Sequence, residues 1–400
     1  MPPDTVSAGI ETFCLEVPES QVADLRARLA NTRWPEREPV CDWSQGARLD
    51  RVRDLCEYWR ATYDWRRCEA RLNELGQHRT VIDGLGIHFL HIRSPEPDAL
   101  PLIVTHGWPG SVVEFLKVAE PLTDPVAQGG ERSDAFHLVL PSLPGYGFSD
   151  KPDRTGWGVE RIAGAWITLM QRLGYQRYVA QGGDWGAAVT SAIALRRPPE
   201  CIAVHLNVAR VRPTQVQLQD ITPAEAQALA DHERFQDRGT GYSRIHATRP
   251  QTIGYGLTDS PAAQAAWIYD KYFDWTDHEN GPEEILSFDD MLDNIMMYWL
   301  PATGASSARL YWESLAAGFS RQVVDMPVGI SIFPKEIWRA SRRWAEPVYS
   351  NIIHWNELDE GGHFAAFEQP ELFVEELRSC FRSVRRGGAE TACGEMARRG

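Results

Sequence analysis

The sequence predicts an α/β fold in which a mostly parallel sheet is covered by helices on both faces. Two observations lead to this prediction. Short apolar runs typical of buried strands alternate with longer amphipathic segments from about residue 96 onward. A long helical stretch interrupts the alternation, which then returns before the chain ends. Strands joined through helices form parallel sheets, because each helix returns the chain to the end of the sheet at which the previous strand began.

The composition is that of an ordinary globular protein with an acidic surface. The chain has 400 residues, of which 43% are hydrophobic and 24% charged, and a formal net charge of −14. This charge argues against nucleic acid or an anionic membrane as the main partner. No apolar run reaches the roughly 18 residues of a membrane span, and the polar first ten residues resemble neither a signal peptide nor a membrane anchor.

The cysteines indicate a reducing compartment. Seven cysteines are scattered along the chain without paired CxxC spacing. Their pattern predicts neither a disulfide framework nor a zinc site. We therefore expect a cytoplasmic protein.

Residues 1–95 are predicted to form a helical extension that leads into the first strands. Residues 13–35 and residues 49–75 each carry apolar side chains at helical spacing, and a polar, proline-containing loop joins them. Two β-prone runs at residues 80–82 and 87–92 then flank a glycine-containing turn, which predicts a hairpin.

The rest of the chain divides into a core in two parts and an insertion. Residues 96–211 are predicted to form the first part of the core, and residues 322–385 the second part, which ends in a helix over 364–384. Between them, residues 212–321 are predicted to form a helical lid with helices over 223–232, 260–273 and 285–300. Residues 386–400 are polar without periodicity, which predicts a disordered tail.

The first reactive group is Asp184, in the sequence GGDWG at residues 182–186. A β-prone run precedes this stretch and a helical run follows it. Small residues around a reactive one at a sharp turn from strand to helix are typical of a nucleophile elbow. An aspartate in that position would attack an electrophilic carbon and form an ester with the enzyme. Taken alone, the pentapeptide fits a glycine-rich turn with an incidental acid equally well.

Two further groups follow later strands in the order expected of a catalytic triad. Glu336 lies just after the predicted strand 328–333, and His363 lies between the last strand and the last helix. Ligands of such sheets bind at the carboxyl ends of the strands. Nucleophile, acid and histidine in this order are typical of an α/β hydrolase. Asp359 is the second candidate for the acid, ranked lower because a carboxylate from a neighbouring strand end can better reach the far ring nitrogen. No G-x-S-x-G sequence is present, which argues against a serine esterase.

Together these motifs resemble the epoxide hydrolases of the α/β-hydrolase superfamily, specifically their microsomal-type branch. Within that branch, the chain resembles the soluble bacterial members. The resemblance covers nearly all of residues 12–385. The sequence HGWP at residues 106–109 is similar to the oxyanion loop of the family, and GYGFS at 145–149 to its glycine-rich loop. GGDWG resembles its nucleophile turn, FPKE at 333–336 its acid segment, and GGHF at 361–364 its base segment.

The resemblance implies a hydrolase that acts on an ether bond and converts an epoxide to a vicinal diol, with no cofactor and no metal. Asp184 would form the alkyl-enzyme ester, and His363, oriented by Glu336, would activate the water that hydrolyses it. The backbone N–H groups of Trp108 and Trp185 would form the oxyanion hole.

The resemblance also implies two tyrosines in the lid that donate hydrogen bonds to the epoxide oxygen. Tyr242, in GYSRIH at 241–246, lies where the family carries the first, and Tyr311, in SSARLY at 306–311, lies where it carries the second. A lid tyrosine is otherwise an aromatic core residue, which is our prediction for Tyr272 and Tyr298. Tyr298 remains the alternative to Tyr311.

The expected partners are water and a small epoxide, which the many aromatic residues predict to be bulky or aryl. Detoxification and secondary metabolism both fit, and a homodimer is compatible with the sequence. A haloalkane or haloacid dehalogenase would share the aspartate, but a halide leaves without protonation and needs no lid tyrosines. A non-catalytic binding protein of this fold would be expected to lack at least one of the catalytic residues.

Overall fold

The computed structural model describes residues 9–315 and 322–396. The strands within these residues form one sheet, and they are β1 (Ile10–Thr12), β2 (Gln77–Ile82), β3 (Leu85–Ile92), β4 (Leu100–Thr105), β5 (Phe136–Pro141), β6 (Tyr178–Gly182), β7 (Cys201–Leu206), β8 (Val328–Ile332) and β9 (Ile352–Glu357). Their order across the sheet is β1-β2-β3-β5-β4-β6-β7-β8-β9. The strands from β5 to β9 run parallel, whereas β1, β2 and β3 are antiparallel to their neighbours. The predicted fold class is confirmed.

Helices flank the sheet and fill the insertion. Those that precede β2 or contact the sheet are α1 (Glu19–Ala30), α2 (Leu49–Ala61), α3 (Trp65–Glu74), α4 (Leu116–Thr123), α5 (Val159–Arg172) and α6 (Asp184–Arg196). The insertion between β7 and β8 contains α7 (Pro223–Arg234), α8 (Gly241–Thr248), α9 (Pro250–Asp259), α10 (Pro261–Trp275), α11 (Phe288–Trp299) and α12 (Gly304–Ser314). The last helices are α13 (Arg342–Ala345), α14 (Ala365–Glu368) and α15 (Pro370–Met396).

The central strands form because their residues are apolar on both faces. Every residue of β5 and β6 is buried, as is all of β4 except Pro101. Such runs, which are mostly apolar apart from a few buried polar side chains such as His137 and Gln181, are typical of parallel strands, which have helices against both faces. The predicted hairpin is also present: β2 and β3 are joined by Asp83 and Gly84, both at positive φ (52° and 81°), the backbone that a tight two-residue turn requires.

The structure corrects three predictions at the ends of the chain. The segment 49–75 is two helices, because Asp64 begins α3 by accepting a hydrogen bond from the backbone N–H of Arg66 (3.0 Å). The short strand β1 was missed, since three residues show no periodicity. The last helix was expected to end near Val384, but α15 continues to Met396. Alanine and glutamate in residues 386–396 favour a helix without any apolar periodicity. The predicted tail beyond that point, residues 397–400, lies outside the described residues.

The sequence also missed half of the inserted helices. The helices α7, α10 and α11 match the predicted segments, whereas α8, α9 and α12 do not appear in them. Glycine and proline in this region, such as Gly241 and Pro250, lower its intrinsic helix propensity. Tertiary packing outweighs that tendency. A Cβ atom on Gly254 of α9 would lie 2.4 Å from the Cβ of Ala305 in α12, so the glycine lets these two helices approach each other closely.

The N-terminal helices are held against the insertion by buried polar contacts. Asp293 of α11 accepts hydrogen bonds from the hydroxyl of Tyr63 (2.6 Å) and from the guanidinium of Arg67 (2.7 Å). The side chain of Trp43 stacks on Phe273 of α10, with 3.6 Å between ring centroids. Among the described residues, no helix combines the length and the apolar character needed to cross a membrane.

Replacing Asp293 with alanine should destabilise the protein. The substitution leaves the buried Tyr63 hydroxyl without its acceptor, which typically costs about 1–3 kcal/mol, and it removes the nearer of the two carboxylates beside the half-exposed guanidinium of Arg67. The urea midpoint of unfolding, followed by tryptophan fluorescence, measures the change. The matched control is Asp289→Ala on the same helix, where the partly exposed carboxylate accepts from Tyr58 (3.1 Å) and should contribute no more than about 1 kcal/mol. Equal midpoints for the two variants would contradict the prediction.

Candidate active site

Asp184 lies at a strained turn between β6 and α6. Its φ is 47°, in the left-handed region that residues with a side chain seldom adopt. A Cβ on Gly182 would lie 2.2 Å from the backbone of Gly186, and a Cβ on Gly186 would lie 1.9 Å from the carbonyl oxygen of Thr105. Only glycine fits at either position. The flanking small residues identified in the sequence are therefore required by the close approach of three backbone segments.

The carboxylate of Asp184 is aimed at the loop that follows β4. The backbone N–H of Trp108 donates to Asp184 Oδ1 (2.9 Å), and the backbone N–H of Trp185 is also hydrogen-bonded to this carboxylate. Burial raises the pKa of Asp184, while the charge of His363 and the two N–H groups oppose that rise. A Cβ on Gly107 would lie 2.2 Å from Asp184 Oδ1, so this loop reaches the carboxylate only because residue 107 is glycine.

The loops after β8 and β9 bring Glu336 and His363 together. Glu336 Oε1 lies 2.8 Å from His363 Nδ1, and His363 Nε2 lies 3.7 Å from Asp184 Oδ2. Both residues are buried. Burial by itself lowers the pKa of His363, but the carboxylates of Glu336 and Asp184 outweigh it and raise this pKa to about 9. The alternative acid, Asp359, is solvent-exposed.

Tyr242 of α8 and Tyr311 of α12 lie side by side above Asp184. Their hydroxyl oxygens are 3.5 Å apart. The ring of Tyr242 stacks on Trp108 (4.8 Å between centroids, 14° between planes), and Tyr311 meets Trp185 edge to face (4.8 Å). Burial raises the pKa of both phenols, and the charge of Asp184 adds to the effect in Tyr242. Both tyrosines line a cavity of about 380 Å³ together with Asp184 and other site residues.

The two lid tyrosines that were predicted to be core residues, Tyr272 and Tyr298, point elsewhere. The hydroxyl of Tyr298 donates to the carbonyl of Gly110 (2.6 Å). The hydroxyl of Tyr272 accepts from Asn294, whose side-chain amide also donates to the carbonyl of Pro109 (2.7 and 2.8 Å). Thus α10 and α11 hold the backbone of the loop that presents Trp108.

A second, much smaller cavity of about 20 Å³ lies on the other side of Asp184 and His363. Its lining includes Glu114, Gln181 and Asn207. Burial raises the pKa of Glu114 to about 8, and the charges of His363 and Asp184 then act on it in opposite directions. The volume is that of one water molecule. Sequence reasoning missed Glu114, although a lone acid in the apolar run 112–119 is a recognisable signal.

An aromatic wall behind the tyrosines was also missed. His246 makes ring contacts with Trp108 and Tyr311, with centroids 4.7 and 5.0 Å apart, and its Nε2 accepts a hydrogen bond from the indole N–H of Trp267 (2.9 Å). Burial lowers the pKa of His246 to about 3, so the ring is neutral. No group of three or more His, Cys, Asp or Glu side chains in the described part of the chain is arranged to hold a metal ion.

The order of the strands and the turn at Asp184 define an α/β hydrolase. Comparison with known proteins leads to the same class. A family model of the alpha/beta hydrolase fold matches residues 101–278, and a model named epoxide hydrolase N terminus matches residues 10–115. The chain is 34% identical to epoxide hydrolase 1 of Oryctolagus cuniculus, over 92% of this chain and 88% of that one. A protein of Stigmatella aurantiaca is 58% identical, over 94% of this chain and 86% of its own length.

A solved structure is similar over the whole length. The epoxide hydrolase of Aspergillus niger superposes with a TM-score of 0.86 at 33% identity, covering 96% of this chain and 98% of that one. The chain therefore belongs to the epoxide hydrolase family, in its microsomal-type branch. The resemblance inferred from the motifs is confirmed.

Replacing Glu336 with glutamine should lower the pKa of His363 from about 9. The variant removes a negative charge 2.8 Å from Nδ1, and the charged imidazole loses more stabilisation than the neutral one. Nitrogen NMR of the histidine side chain as a function of pH measures this value. The control is Asp359→Asn, because an exposed carboxylate is screened by solvent and should leave the pKa of His363 unchanged. A larger shift in the control than in Glu336→Gln would assign the acid to Asp359.

Proposed function

We propose that this epoxide hydrolase works through a covalent ester on Asp184. One oxygen of the Asp184 carboxylate attacks a ring carbon of the epoxide, and the carbon–oxygen bond of the ring breaks. The hydroxyls of Tyr242 and Tyr311 donate hydrogen bonds to the departing oxygen, and one of them delivers its proton. The product of this step is a hydroxyalkyl ester of Asp184.

The proton state of the tyrosines supports this role. An alkoxide is a poor leaving group, so ring opening needs a donor that is still protonated at neutral pH. Burial and the nearby carboxylate keep both phenols in that form. Two adjacent hydroxyls, 3.5 Å apart, can both reach a single epoxide oxygen.

We assign the second step to His363. With Glu336 on Nδ1, the Nε2 atom faces Asp184 and can take a proton from water, which then attacks the carbonyl carbon of the ester. The tetrahedral anion forms on the Asp184 side chain, where the N–H groups of Trp108 and Trp185 stabilise it. The small cavity beside Asp184 and His363, of about 20 Å³, is the place we assign to this water.

Formation of the ester prepares the histidine for this task. The negative charge of Asp184 is one of the interactions that raise the pKa of His363 to about 9, and esterification removes that charge. The pKa of His363 then falls, which favours the neutral base, while Glu336, the larger of the two causes, continues to raise it. The main observation in support of the proposal is that Trp108, His363 and the two tyrosines all surround the Asp184 carboxylate.

We further propose that the insertion, residues 212–321, acts as a lid over the cavity and that the N-terminal region 1–95 holds it in place. The contacts of Tyr63 and Arg67 with Asp293 support this assignment.

The apolar and aromatic walls of the cavity favour a bulky or aryl epoxide. The six described cysteines are free thiols, which supports the proposed cytoplasmic location.

Replacing His363 with glutamine should trap the ester. Asp184 can still open the ring, but no base activates the water, so turnover should fall by roughly 10²–10⁴-fold. Intact-protein mass spectrometry after mixing with styrene oxide should show one added substrate, and peptide mapping should place it on Asp184. The double variant Asp184→Asn, His363→Gln is the control and should carry no adduct. An adduct at any other residue would overturn the assigned nucleophile.

Replacing Tyr242 or Tyr311 with phenylalanine should slow ester formation. Each variant removes one of two donors, so we expect a reduction of roughly 10- to 100-fold in the ring-opening rate. Single-turnover tryptophan fluorescence isolates this step. Tyr255→Phe serves as the control, because Tyr255 is an exposed tyrosine of α9 and should retain the wild-type rate. If Tyr311→Phe opened the ring as fast as the control, Tyr311 would have no part in the chemistry.

A further inference from the structure

The loop that carries His363 is held by residues that the proposed reaction does not use. The loop spans residues 361–364, between β9 and α14. On one side it pairs with the loop that carries Glu336. On the other side it meets the C-terminal end of α10, which belongs to the insertion. This second contact joins the candidate base to the insertion.

Backbone N–H groups of the loop donate to the end of α10. The N–H of His363 donates to the carbonyl of Trp275, the last residue of that helix (2.9 Å). The N–H of Gly361 donates to Asp277 Oδ2, just beyond the helix (2.8 Å). The backbone position of His363 is therefore set in part by acceptors that lie in the insertion.

Glu368 completes the arrangement from within α14. This buried residue accepts from the N–H of Phe364 at Oε1 (2.9 Å) and from the N–H of Asp277 at Oε2 (2.8 Å). Burial raises the pKa of Glu368 to about 7, while the two N–H groups oppose the rise because they stabilise the charged form. One carboxylate thus bridges the loop and the end of α10. We refer to Asp277 and Glu368 as the Asp277–Glu368 clamp.

The two glycines of the sequence GGHF are required by this contact. Gly361 has a φ of 99°, in the left-handed region that favours glycine. A Cβ atom on Gly362 would lie 2.4 Å from the carbonyl oxygen of Trp275 and 2.9 Å from both carboxylate oxygens of Glu368. Any side chain at residue 362 would therefore push the loop away from α10.

The side chain of His363 needs a fixed backbone to reach its target. Glu336 bonds to Nδ1 (2.8 Å), which orients the ring but does not fix the position of the Cα atom. The indole of Trp275 contacts the imidazole edge to face, with 4.9 Å between centroids. A displacement of about 1 Å in a catalytic group can cost a factor of about 100 in rate. The placement of Nε2 beside the water that attacks the ester therefore depends on the loop.

We propose, on the basis of the epoxide hydrolase function above, that the Asp277–Glu368 clamp positions His363 for hydrolysis of the ester. Both residues act through the backbone of the loop and not on the substrate. Ring opening needs no base, because Asp184 attacks the epoxide directly and the lid tyrosines supply the proton. The clamp therefore serves the second step, and the end of α10 helps to position the base although it lies in the insertion.

Replacing Glu368 with glutamine tests the clamp with a small change. The amide has one acceptor oxygen in place of two, so one of the two N–H groups loses its partner. Single-turnover reaction with styrene oxide at about pH 8.5, above the pKa of Glu368, keeps the wild-type carboxylate charged. Intact-protein mass spectrometry of quenched samples follows the ester. We expect its decay to slow by roughly 10- to 100-fold and its formation to change by less than about twofold.

Two controls separate positioning from a general loss of stability. Glu371→Gln, at an exposed carboxylate in the first turn of α15, should leave both rates unchanged. Ile162→Val removes a buried methyl group from α5, which lowers stability but should keep the ratio of the two rates. Equal slowing of both steps in Glu368→Gln, or decay at the wild-type rate, would overturn the proposal.

Replacing Asp277 with alanine provides a second variant. It removes the acceptor of the Gly361 N–H and leaves the carboxylate of Glu368 in place. We expect the same selective slowing of ester decay. This variant decides the matter if Glu368→Gln does not fold, and a folded Asp277→Ala with wild-type decay would then overturn the proposal.

Amide hydrogen exchange of the wild-type protein, resolved by residue, needs neither a variant nor a substrate. Because the clamp joins the two segments, the N–H groups of Asp277, His363 and Phe364 should become exposed together and show one common protection. A protected loop beside a freely exchanging Asp277 would overturn the clamp. If styrene oxide formed no ester on Asp184, the proposed function would fail instead, and the exchange pattern would still support or overturn the clamp.

Discussion

The site depends on the close approach between the start of α6 and the end of β4. Gly186 lies against the carbonyl of Thr105 so tightly that any side chain would collide with it. This contact turns Asp184 into its left-handed backbone conformation and places its carboxylate under the N–H of Trp108. The strain of the turn is sustained by the buried strands on either side, which have no room to relax. In the proposed reaction, an Asp184 held in this way needs little reorganisation when the oxyanion forms.

The remaining groups come from parts of the chain that are far apart, and each is held by its own local contacts. Glu336 and His363 meet because the loops after β8 and β9 pair, with the backbone N–H of Lys335 donating to the carbonyl of Gly361 (3.1 Å). The two tyrosines depend instead on an aromatic wall in which His246 fills the space behind them. The ends of the sheet strands thus supply the proposed nucleophile and base, and the insertion supplies the two tyrosines proposed as proton donors.

The sequence predicted most of the core, since its central strands are mostly apolar and its motifs lie at their ends. It also predicted the residues that meet at Asp184, because the order of nucleophile, acid and histidine is set by the order of the parallel strands. It did not predict α8, α9 and α12, where close packing at Gly254 overrides weak helix propensity. Glu114 was missed for another reason. The acid itself is visible in the run 112–119, but its raised pKa arises from burial, and the depth of a side chain in the protein has no signature in the local sequence.

The hydrogen bonds from Asn294 and Tyr298 have a mechanical consequence for the insertion. They attach α11 to the carbonyls of Pro109 and Gly110, next to the residue that donates to the carboxylate. If α11 moved outward as a rigid body, it would pull this loop away from Asp184 and break the proposed oxyanion hole. The contact between Tyr242 and Trp108 is a stacking of rings, which can slide without breaking a backbone hydrogen bond. The insertion is therefore anchored to this loop by hydrogen bonds on the side of α11, whereas on the side of α8 it meets Trp108 through ring stacking.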